Sequence, residues 1–596
     1  MNFRQDIQIL RGIAVLFVVL FHLELAGLSS GFLGVDIFFV VSGFLMTILY
    51  KKGEIREFFE RRAKRLLPAY FVTVSLTLLA SLFLVLPSEL GQVATQSIYS
   101  LFFANNLGFW MQNSYFSKSD FNPLLHLWSL GVEIQFYLIT PLLVWLFRKS
   151  KVLLPVFLIS SLILCIFLVG ISPKTSFFMM PLRVWEFLIG FIVATYFTIN
   201  GNIKYKNFSN IGLFGFLILI TIPFLNVDGE SLNRVYGHPS LYALLICLAT
   251  ALIITFGIPA ILLKSMLGKL ISNIGNYSYS IYLVHFPIIV LYLYEPFSGT
   301  KLYPESYVDK IILLVIIVIA SILMHKFVEL RRFNKIVKVY LISFIVMLCL
   351  IGMMKISLKF YSEQQQNIFN GLEDRDTYRC GKIVRIIDPN AISCKLNSSE
   401  HTDSVLLVGN SHADSIKKVF SSVMDDKQYN TYFFVSNTPM MGNDLPPREI
   451  INEAIKKKIS WIVLHYKSGD LDLNKLNELI QLSIPKNIKV TVLLPVPTYE
   501  YSSYYGSSIP KTLFEDKESK LTYAQYISMN KEIINAVKKL QLKFPSFNYI
   551  ETAPVYCNPI CTISDYEKKP YYFDDDHLTI TGAELLRKVF EKMSKH

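Results

Sequence analysis

The sequence predicts a bundle of membrane-spanning helices followed by a globular α/β domain. Of the 596 residues, 52% are hydrophobic and only 17% are charged, whereas soluble proteins have roughly a quarter charged residues. The net charge of +13 lies wholly in residues 1–360, because residues 361–596 contain 29 basic and 29 acidic residues. A basic excess in the hydrophobic half is typical of cytoplasmic loops and not of a nucleic-acid surface. The composition excludes a purely soluble enzyme, a disordered scaffold and a disulfide-stabilised mini-protein.

Eleven apolar segments have the length that a membrane crossing requires. They lie at 9–27, 31–50, 68–87, 128–147, 152–171, 181–199, 209–225, 240–258, 278–295, 308–328 and 338–358. A further stretch at 94–110 is amphipathic and is predicted to be re-entrant or interfacial. Basic residues in alternate loops, such as the seven in 51–67, predict a cytoplasmic N-terminus. An odd number of crossings then places the chain after about residue 360 outside the cytoplasm.

Cysteine usage fits this placement. Three cysteines fall inside apolar spans and are predicted to be inert packing residues: Cys165, Cys247 and Cys349. The other four belong to the predicted exported part, where disulfides are stable. The simplest of their three connectivities is local, Cys380 with Cys394 and Cys557 with Cys561. Four free thiols are the alternative.

Ionisable residues inside membrane spans are costly and usually functional. Arg11 and His22 are eleven residues apart in the first span, so they share a helix face at a separation of about 16 Å. Five further residues are expected to join His22 in the outer half of the bundle: Asp36, His126, Glu133, Arg183 and Glu186. The cluster indicates acid–base chemistry, and buried ion pairs that only fix helix packing are the alternative.

Arginines cluster at the predicted cytoplasmic end of the third span. Arg61, Arg62 and Arg65 present guanidinium groups at helical spacing, which suits a clamp for phosphates. Alone, the cluster would be read as ordinary cytoplasmic charge. Together with the outer cluster, it indicates a phosphate-bearing donor on the inside and acid–base chemistry further out.

Residues 1–335 contain an ordered series of motifs. These are Arg11-Gly-Ile-Ala-Val with His22, Gly31-Phe-Leu-Gly-Val-Asp36, Arg61-Arg-x-x-Arg65-x-x-Pro68, His126-x-Trp-Ser-Leu-Gly-Val-Glu133-x-Gln-Phe-Tyr137, Arg183-x-Trp-Glu186 and Ser278-Tyr-Ser-Ile-Tyr282-Leu-x-His285. Through these motifs the region closely resembles the membrane acyltransferase family 3. The resemblance implies transfer of an acyl group, usually acetyl from cytoplasmic acetyl-CoA, to an exported glycan.

The resemblance also implies roles for these residues. Arg11 and His22 would be the essential pair of the first helix, and Glu133 belongs to a signature of the family. Arg62 and Arg65, or Arg61 and Arg65, would help to hold CoA. A histidine is the usual base for an acceptor hydroxyl, and Asp36 or Glu133 could orient the imidazole of His22 as the third member of a triad does.

The exported part has the pattern of an α/β sandwich. The apolar run Ser404-Val-Leu-Leu-Val408 predicts a buried strand, and Gly409-Asn-Ser411 then leads into a helix. This turn would expose the Ser411 hydroxyl at a helix N-terminus, where backbone N–H groups stabilise an oxyanion. Further buried strands are predicted at Trp461-Ile-Val-Leu and Val490-Thr-Val-Leu-Leu. A helix N-cap is the structural alternative for Ser411.

Residues from about 400 to 596 resemble the SGNH-hydrolase superfamily, in which an Asp three residues before a His follows a distant Ser. The resemblance implies that Ser411 is the nucleophile, His577 the base and Asp574 its orienting carboxylate, with Asp575 and Asp576 as open alternatives. The family's usual Gly-Asp-Ser is Gly-Asn-Ser here, and the replaced Asp is no triad member. Gly442 and Asn443 are candidates for the oxyanion hole, and His412 and Asp414 are read as helix-start residues rather than catalytic ones.

The two resemblances together predict three regions: a membrane acyltransferase domain at 1–335, a linking helix and connector at 336–400, and an SGNH-like three-layer sandwich at 401–596. The fusion resembles bacterial O-antigen and peptidoglycan O-acetyltransferases of this two-module type. We therefore expect a protein of the bacterial inner membrane, with its C-terminal domain in the periplasm. It would transfer acetyl from acetyl-CoA, through Ser411, to an exported glycan.

Lipopolysaccharide O-antigen is the first expectation for the acceptor, and peptidoglycan or an exopolysaccharide is the alternative. The lipid bilayer is the other expected partner, whereas a metal and nucleic acid are not expected. A membrane-anchored glycan esterase and a transporter are the competing functions. Eleven spans with buried charge exceed what an esterase anchor requires.

Overall fold

In the computed structural model the chain divides into two compact units, Met1–Ile356 and Ser357–His596. The first unit is helical, and the second contains a six-stranded sheet with flanking helices. A multi-span helical bundle followed by an α/β domain is therefore confirmed. The structure describes residues 4–51, 53–112, 120–199, 202–203, 208–331, 333, 335–376, 378, 387–388, 391–434, 445–499 and 508–593.

The first unit contains fifteen described α-helices and one short hairpin. The helices are α1 Gln5–His22, α2 Gly34–Leu49, α3 Ile55–Leu84, α4 Pro87–Leu101, α5 Asn105–Met111, α6 Trp128–Lys149, α7 Leu153–Val169, α8 Pro173–Phe178, α9 Met180–Ile192, α10 Ser209–Thr221, α11 Leu241–Phe256, α12 Ala260–Lys264, α13 Met266–Tyr292, α14 Tyr307–Met324 and α15 Ile336–Ser357. The hairpin consists of β1 Thr198–Ile199 and β2 Asn202–Ile203.

Among the described residues, eight helices are long and apolar enough to cross a membrane. Three shorter apolar helices accompany them, at Leu153–Val169, Ser209–Phe224 and Leu241–Phe256. These eleven helices coincide with the eleven predicted segments, and the protein is a multi-pass membrane protein. The amphipathic stretch at 94–110 lies in α4 and α5, where Gln96 and Asn105 are fully buried.

Close helix contacts fix the geometry of the bundle core. A Cβ atom at Gly275 of α13 would lie 1.9 Å from the carbonyl oxygen of Gln8 in α1. A Cβ atom at Gly190 of α9 would lie 2.0 Å from the carbonyl oxygen of Val40 in α2. Small residues allow membrane helices to approach in this way. As a result α1 packs against α13, and α2 packs against α9.

The second unit contains six strands and nine described α-helices. The strands are β3 Ser393–Lys395, β4 Asp403–Gly409, β5 Tyr429–Phe434, β6 Trp461–His465, β7 Lys489–Leu493 and β8 Phe547–Ile550. The helices are α16 Glu363–Asn370, α17 Ser411–Asp426, α18 Pro447–Lys456, α19 Leu473–Ser483, α20 Ile509–Phe514, α21 Tyr523–Met529, α22 Lys531–Lys543, α23 Ile580–Glu584 and α24 Arg587–Lys592.

The strands lie in the order β3-β5-β4-β6-β7-β8, and all neighbours are parallel except β3 and β5. The chain leaves β4 toward β5 through α17 and then crosses back from β5 to β6 through α18. Connections between parallel strands are right-handed. Because these two connections run in opposite directions across the sheet, α17 and α18 lie on opposite faces of it. Leu406 and Val408 of β4 belong to the core on the α18 side. The result is a three-layer sandwich with α17 at the point where the strand order reverses.

The boundary of the second unit lies earlier than the predicted domain start at residue 401. Residues after Ser357 belong to this unit, because part of the predicted connector packs on the α/β core. The disulfide between Cys557 and Cys561 is present as predicted. Cys380 lies outside the described residues, so its pairing with Cys394 stays a prediction.

Candidate active sites

Ser411, His577 and Asp574 form a hydrogen-bonded chain in the second unit. The distance between Ser411 Oγ and His577 Nε2 is 2.6 Å. On the other side of the ring, His577 Nδ1 donates to Asp574 Oδ2 at 2.7 Å. Donation from Nδ1 leaves Nε2 as the nitrogen that can accept the serine proton. The side chains predicted from the sequence thus meet in the arrangement of a nucleophile, its base and an orienting carboxylate.

The turn before Ser411 explains why this serine is exposed. Strand β4 ends at Gly409, where a Cβ atom would lie 1.9 Å from the carbonyl oxygen of His465. Asn410 then caps α17 by accepting a hydrogen bond from the His412 N–H at 3.0 Å. Ser411 is the first residue of the helix and is exposed. Its hydroxyl therefore lies at the N-terminus of this helix.

Asn410 replaces the acid that is usual in the superfamily, and the structure gives a physical reason. Its amide Nδ2 donates to Asp470 Oδ2 at 2.7 Å, while its Oδ1 accepts from the backbone. An aspartate at this position would present a second carboxylate to Asp470. The amide therefore suits this surrounding better than the acid does.

Asp574 also holds the loop that carries His577. Its Oδ1 accepts hydrogen bonds from the backbone N–H groups of Asp576, at 3.1 Å, and of His577, at 2.7 Å. One carboxylate thus fixes both the main chain and the ring of the histidine, as an Asx turn does. Asp575, the middle acid of the run, accepts a hydrogen bond from the Tyr499 N–H through its backbone carbonyl oxygen at 3.0 Å.

A second carboxylate, Asp576, lies 2.6 Å from His577 Nδ1. Asp576 is buried and is itself held by two groups: Lys467 Nζ at 2.8 Å and His412 Nε2 at 3.3 Å. The sequence left Asp574, Asp575 and Asp576 open as the orienting acid, and in the structure both Asp574 and Asp576 contact the ring nitrogen. His412 is thus more than a helix-start residue, because it holds one of these acids.

The two acids dominate the electrostatics of His577. Burial acts to lower the pKa of His577, but Asp574 and Asp576 outweigh it and raise the pKa to about 10. Burial acts to raise the pKa of Asp576, but hydrogen bonds from His412 and His577 lower it below its usual range. The two acids therefore favour the protonated imidazole and move the loss of its proton to higher pH.

The remaining predictions for this unit have mixed outcomes. Asp414 forms an ion pair with Lys417 at 2.9 Å, in agreement with a structural role at the start of α17. Gly442 and Asn443, the candidates for the oxyanion hole, lie outside the described residues. His465 is buried at the end of β6, and burial lowers its pKa to about 3.

In the membrane unit, three arginines line a cavity between helices. Arg11 comes from α1, and Arg62 and Arg65 come from α3. Arg61 does not line this cavity, because its guanidinium lies 3.3 Å from Glu54 and about half of its side chain is exposed. Of the two arginine pairs left open by the sequence, Arg62 and Arg65 therefore face the cavity.

Glu133 lines the same cavity on α6. Its carboxylate accepts hydrogen bonds from the hydroxyl groups of Ser42 and Tyr137. Glu133 therefore lies among the arginines of the cavity. The sequence had suggested that it lies beside His22. Tyr282 and Ser129 also line the cavity, and their hydroxyl oxygens are 2.6 Å apart.

Three buried histidines lie next to this cavity. The ring of His285 is 5.3 Å from that of His22 and 5.6 Å from that of His126, measured between centroids. One ring nitrogen of each donates to a backbone carbonyl: His22 Nδ1 to Val18 at 2.9 Å, His126 Nε2 to Leu283 at 3.0 Å and His285 Nδ1 to Tyr282 at 2.7 Å. The second nitrogen of each ring therefore bears the lone pair that a base requires. The Tyr282 hydroxyl also donates to the carbonyl of His126, so a residue that lines the cavity contacts this group of histidines.

Asp36 forms a separate charge cluster. Arg183 lies 3.2 Å from Asp36 and 3.1 Å from Glu186, and His238 Nε2 lies 3.7 Å from Asp36. All four side chains are buried. A buried guanidinium requires nearby negative charge, and Asp36 supplies it. Asp36 thus pairs with Arg183, and Glu133 pairs with Ser42 and Tyr137. The predicted cluster divides into separate groups, and an orienting role of either acid toward His22 stays a prediction.

Sequence reasoning missed three residues of these sites. His285 stood in a recognised motif, where its distance of 263 residues from His22 concealed their proximity. His238 and Lys467 belong to no sequence motif that we identified. Only the packing of distant elements brings these residues to the sites.

Comparison with known proteins supports the reading of both units. The family model described as "Acyltransferase domain" matches residues 4–326, which is more than half of the chain. The model described as "SGNH domain (fused to AT3 domains)" matches residues 387–592. The chain therefore belongs to the acyltransferase family and has the SGNH domain that occurs fused to it.

The chain is similar to O-acetyltransferase OatA of Staphylococcus aureus (strain NCTC 8325 / PS 47), with 35% identity over 305 residues, 47% of this chain and 50% of the relative. It is 32% identical over 305 residues to peptidoglycan O-acetyltransferase OatA of Listeria monocytogenes, covering 47% and 49%. The chain spans about half the length of these curated relatives. A solved lipopolysaccharide acetyltransferase periplasmic domain from Salmonella ser. Paratyphi A matches with 15% identity and a TM-score of 0.26, over 40% of this chain and 95% of that one.

Proposed function

We propose that the protein is an O-acetyltransferase that moves acetyl from cytoplasmic acetyl-CoA to hydroxyl groups of an exported envelope glycan. The observation that carries this proposal is the combination of an arginine-lined cavity in a membrane bundle with a Ser-His-Asp site in the fused domain. A glycan esterase would need only the second, and a transporter only the first. The names of the similar proteins support O-acetyl transfer.

The donor end of the reaction is assigned to Arg11, Arg62 and Arg65. Phosphates are bound best by guanidinium groups, which offer paired N–H donors. These three arginines come from α1 and α3 and face one cavity. In this proposal N-terminal and loop charges place that end of the cavity at the cytoplasm, where acetyl-CoA is available.

His22 is assigned as the intramembrane base. Its Nδ1–H donates to Val18, so Nε2 is the nitrogen that can take a proton from an acceptor hydroxyl. His285 and His126 lie beside it and can pass that proton on. Loss of the His22 imidazole would remove the base without disturbing the ion pairs of Asp36.

Ser411 is assigned as the acyl carrier on the outer side. His577 Nε2 takes the proton of Ser411 Oγ as this oxygen attacks the acyl carbonyl, and it passes that proton to the departing donor group, which leaves an acetyl ester on the serine. A sugar hydroxyl then attacks this ester while His577 Nε2 takes its proton, and His577 returns this proton to Ser411 Oγ as the serine is released. In this proposal the exposed position of Ser411 allows a large glycan to reach the ester.

Peptidoglycan has the stronger support as the acceptor, because the Listeria relative is named for it. Lipopolysaccharide O-antigen, the acceptor expected first from the sequence, is not named by the curated relatives above. The two acceptors share the same chemistry, a hydroxyl of an exported sugar. The experiment must therefore measure acetyl transfer to both glycans.

The test is transfer of labelled acetyl from acetyl-CoA by membranes that contain the protein. Peptidoglycan and lipopolysaccharide are isolated afterwards, and ester-linked label is measured in each by mass analysis. Label in one glycan, lost in Ser411→Ala and in His22→Ala at equal protein level, is the expected result. Normal glycan acetylation by His22→Ala would contradict the role of the intramembrane base.

A further inference from the structure

The polar segment that precedes the α/β core contacts the helix that begins at Ser411 and the chain that follows His577. We infer that residues 367–376, the connector segment, position this pair, with Asp374 and Asp376 as positioning residues. The inference rests on the proposed role of Ser411 as nucleophile. The connector segment lies outside both ranges that the family models match, 4–326 and 387–592.

The first contact reaches the nucleophile. Asp376 lies 3.0 Å from Lys417 Nζ, and Lys417 also pairs with Asp414 at 2.9 Å. The side chain of Lys417 is only 1% exposed. Lys417 belongs to α17, the helix that begins at Ser411. A buried ammonium held by two carboxylates is a rigid link, so Asp376 ties the connector segment to the nucleophile helix.

The second contact reaches the base. The carbonyl oxygen of Asp374 accepts from the Ile580 N–H at 2.8 Å, and its carboxylate accepts from the Thr581 N–H at 3.0 Å. These N–H groups open α23, three residues after His577. A carboxylate at a helix N-terminus satisfies unpaired donors and complements the helix dipole. Asp374 thus fixes the chain directly after the base.

The third contact reaches the imidazole indirectly, through Phe573. Arg375 is 5.3 Å from the ring centroid of Phe573. Phe573 in turn stacks on His577 with 5.5 Å between centroids and 12° between planes. A cation over an aromatic face is attracted to the ring, so Arg375 helps to hold the phenyl ring that stacks on the imidazole. Asn367 adds a hydrogen bond to the Glu567 carbonyl at 2.9 Å, which anchors the loop further upstream.

These contacts matter because Ser411 and His577 are 166 residues apart in the chain, yet their reacting atoms are 2.6 Å apart. Nothing local in the sequence holds that distance. A misplacement of about 1 Å in such a pair can cost about 100-fold in rate. The connector segment is bound to the element of each partner and therefore holds the two in register.

The test uses the full chain in detergent and the hydrolysis of p-nitrophenyl acetate. A fluorophosphonate that labels the active serine counts the competent sites, so that kcat is expressed per site. Asp374→Asn and Asp376→Asn are each expected to lower kcat about 10- to 100-fold with KM unchanged. Asp376→Glu should recover part of the rate. Glu373→Gln is the matched control, because this neighbouring acid is exposed and loses the same charge.

A merely structural role predicts a different result. Fewer labelled sites with an unchanged kcat per site, for both aspartates, would overturn the inference. If Asp376→Asn fails to fold, Arg375→Ala replaces it: a lower kcat at a full count of sites supports the inference, and an unchanged kcat overturns it. Unchanged hydrolysis in Ser411→Ala would contradict the proposed function itself, and the two failures are thus distinguishable.

Discussion

At the scale of single residues, the chemistry of the Ser411 site depends on how many carboxylates face His577. Asp574 accepts the Nδ1 hydrogen bond, whereas Asp576 adds a second negative charge 2.6 Å from the same nitrogen. Two acids stabilise the imidazolium more than one does. The resulting pKa of about 10 means that deprotonation of His577 limits the base form at neutral pH.

The pH dependence of ester hydrolysis follows directly. We expect the rate to rise with pH as His577 loses its proton, with the apparent pKa near 10. Asp576→Asn removes one charge that favours the cation, so the profile should shift to lower pH. Its maximum should also fall, because the ring loses one of its two anchors. A profile of p-nitrophenyl acetate hydrolysis in the full chain measures both, and an unshifted profile would contradict the role of Asp576.

The same shift has a consequence for stability. The folded-state pKa of His577 lies above the usual value of 6.5. Its ion pairs therefore stabilise the folded protein fully below about pH 6.5, and this contribution is lost as the pH rises through about 10.

A second residue-scale prediction separates donor binding from ordinary loop charge. Arg65→Ala should raise the KM for acetyl-CoA about 10-fold or more, since a charge-assisted hydrogen bond contributes about 1.5–3 kcal/mol. Arg61→Ala is the matched control, because Arg61 pairs with Glu54 outside the cavity. Acetyl transfer from membranes at varied acetyl-CoA concentration measures the difference. Equal effects of the two substitutions would contradict donor binding by Arg65 and would favour the alternative that these arginines are ordinary charges of a cytoplasmic loop.

At the scale of elements, the turn from β4 into α17 depends on an amide where related domains have an acid. Asn410→Asp should destabilise the second unit by about 1–3 kcal/mol at neutral pH, because two carboxylates replace a hydrogen-bonded pair. Acid should remove the effect, since protonation of one carboxyl restores a hydrogen bond. Thermal unfolding at pH 7 and pH 5 measures this change.

A double substitution that exchanges the two side chains provides the control for that turn. In the double variant Asn410→Asp/Asp470→Asn, the donor and the acceptor are exchanged and the hydrogen bond can form again. We expect its unfolding temperature to return close to that of the parent. A single variant as stable as the parent at both pH values would show that the pairing with Asp470 is unimportant.

At the scale of the whole molecule, the two units are expected to divide the reaction. The arginine cavity lies in Met1–Ile356, and Ser411 lies in Ser357–His596. Ser411→Ala should therefore abolish glycan acetylation, while binding or cleavage of acetyl-CoA by the membrane unit continues. Counting free CoA and glycan-bound acetyl in one membrane preparation distinguishes the two steps. Full glycan acetylation in this variant would mean that the bundle transfers acetyl directly to sugar.

The sequence by itself determined the class of each unit and most of its reactive residues. Apolar length and basic loops predicted a membrane bundle because the bilayer imposes span length and charge bias on any chain. The structure brings Ser411, Asp574 and His577 together in a hydrogen-bonded chain, and the sequence could single them out because they stand in motifs at the ends of strands and helices. Such features are local, and a local pattern can be read without a fold.

Tertiary structure alone decided which charges meet. Asp36 pairs with Arg183 instead of His22, because the close contact of α2 with α9 brings a buried guanidinium to that carboxylate. His285 joins His22 through the packing of α1 on α13, and the connector segment joins the Ser411 site through Asp374 and Asp376. Each of these contacts joins residues far apart in the chain. Their partners are set by helix packing and by burial of charge, which no spacing in the sequence encodes.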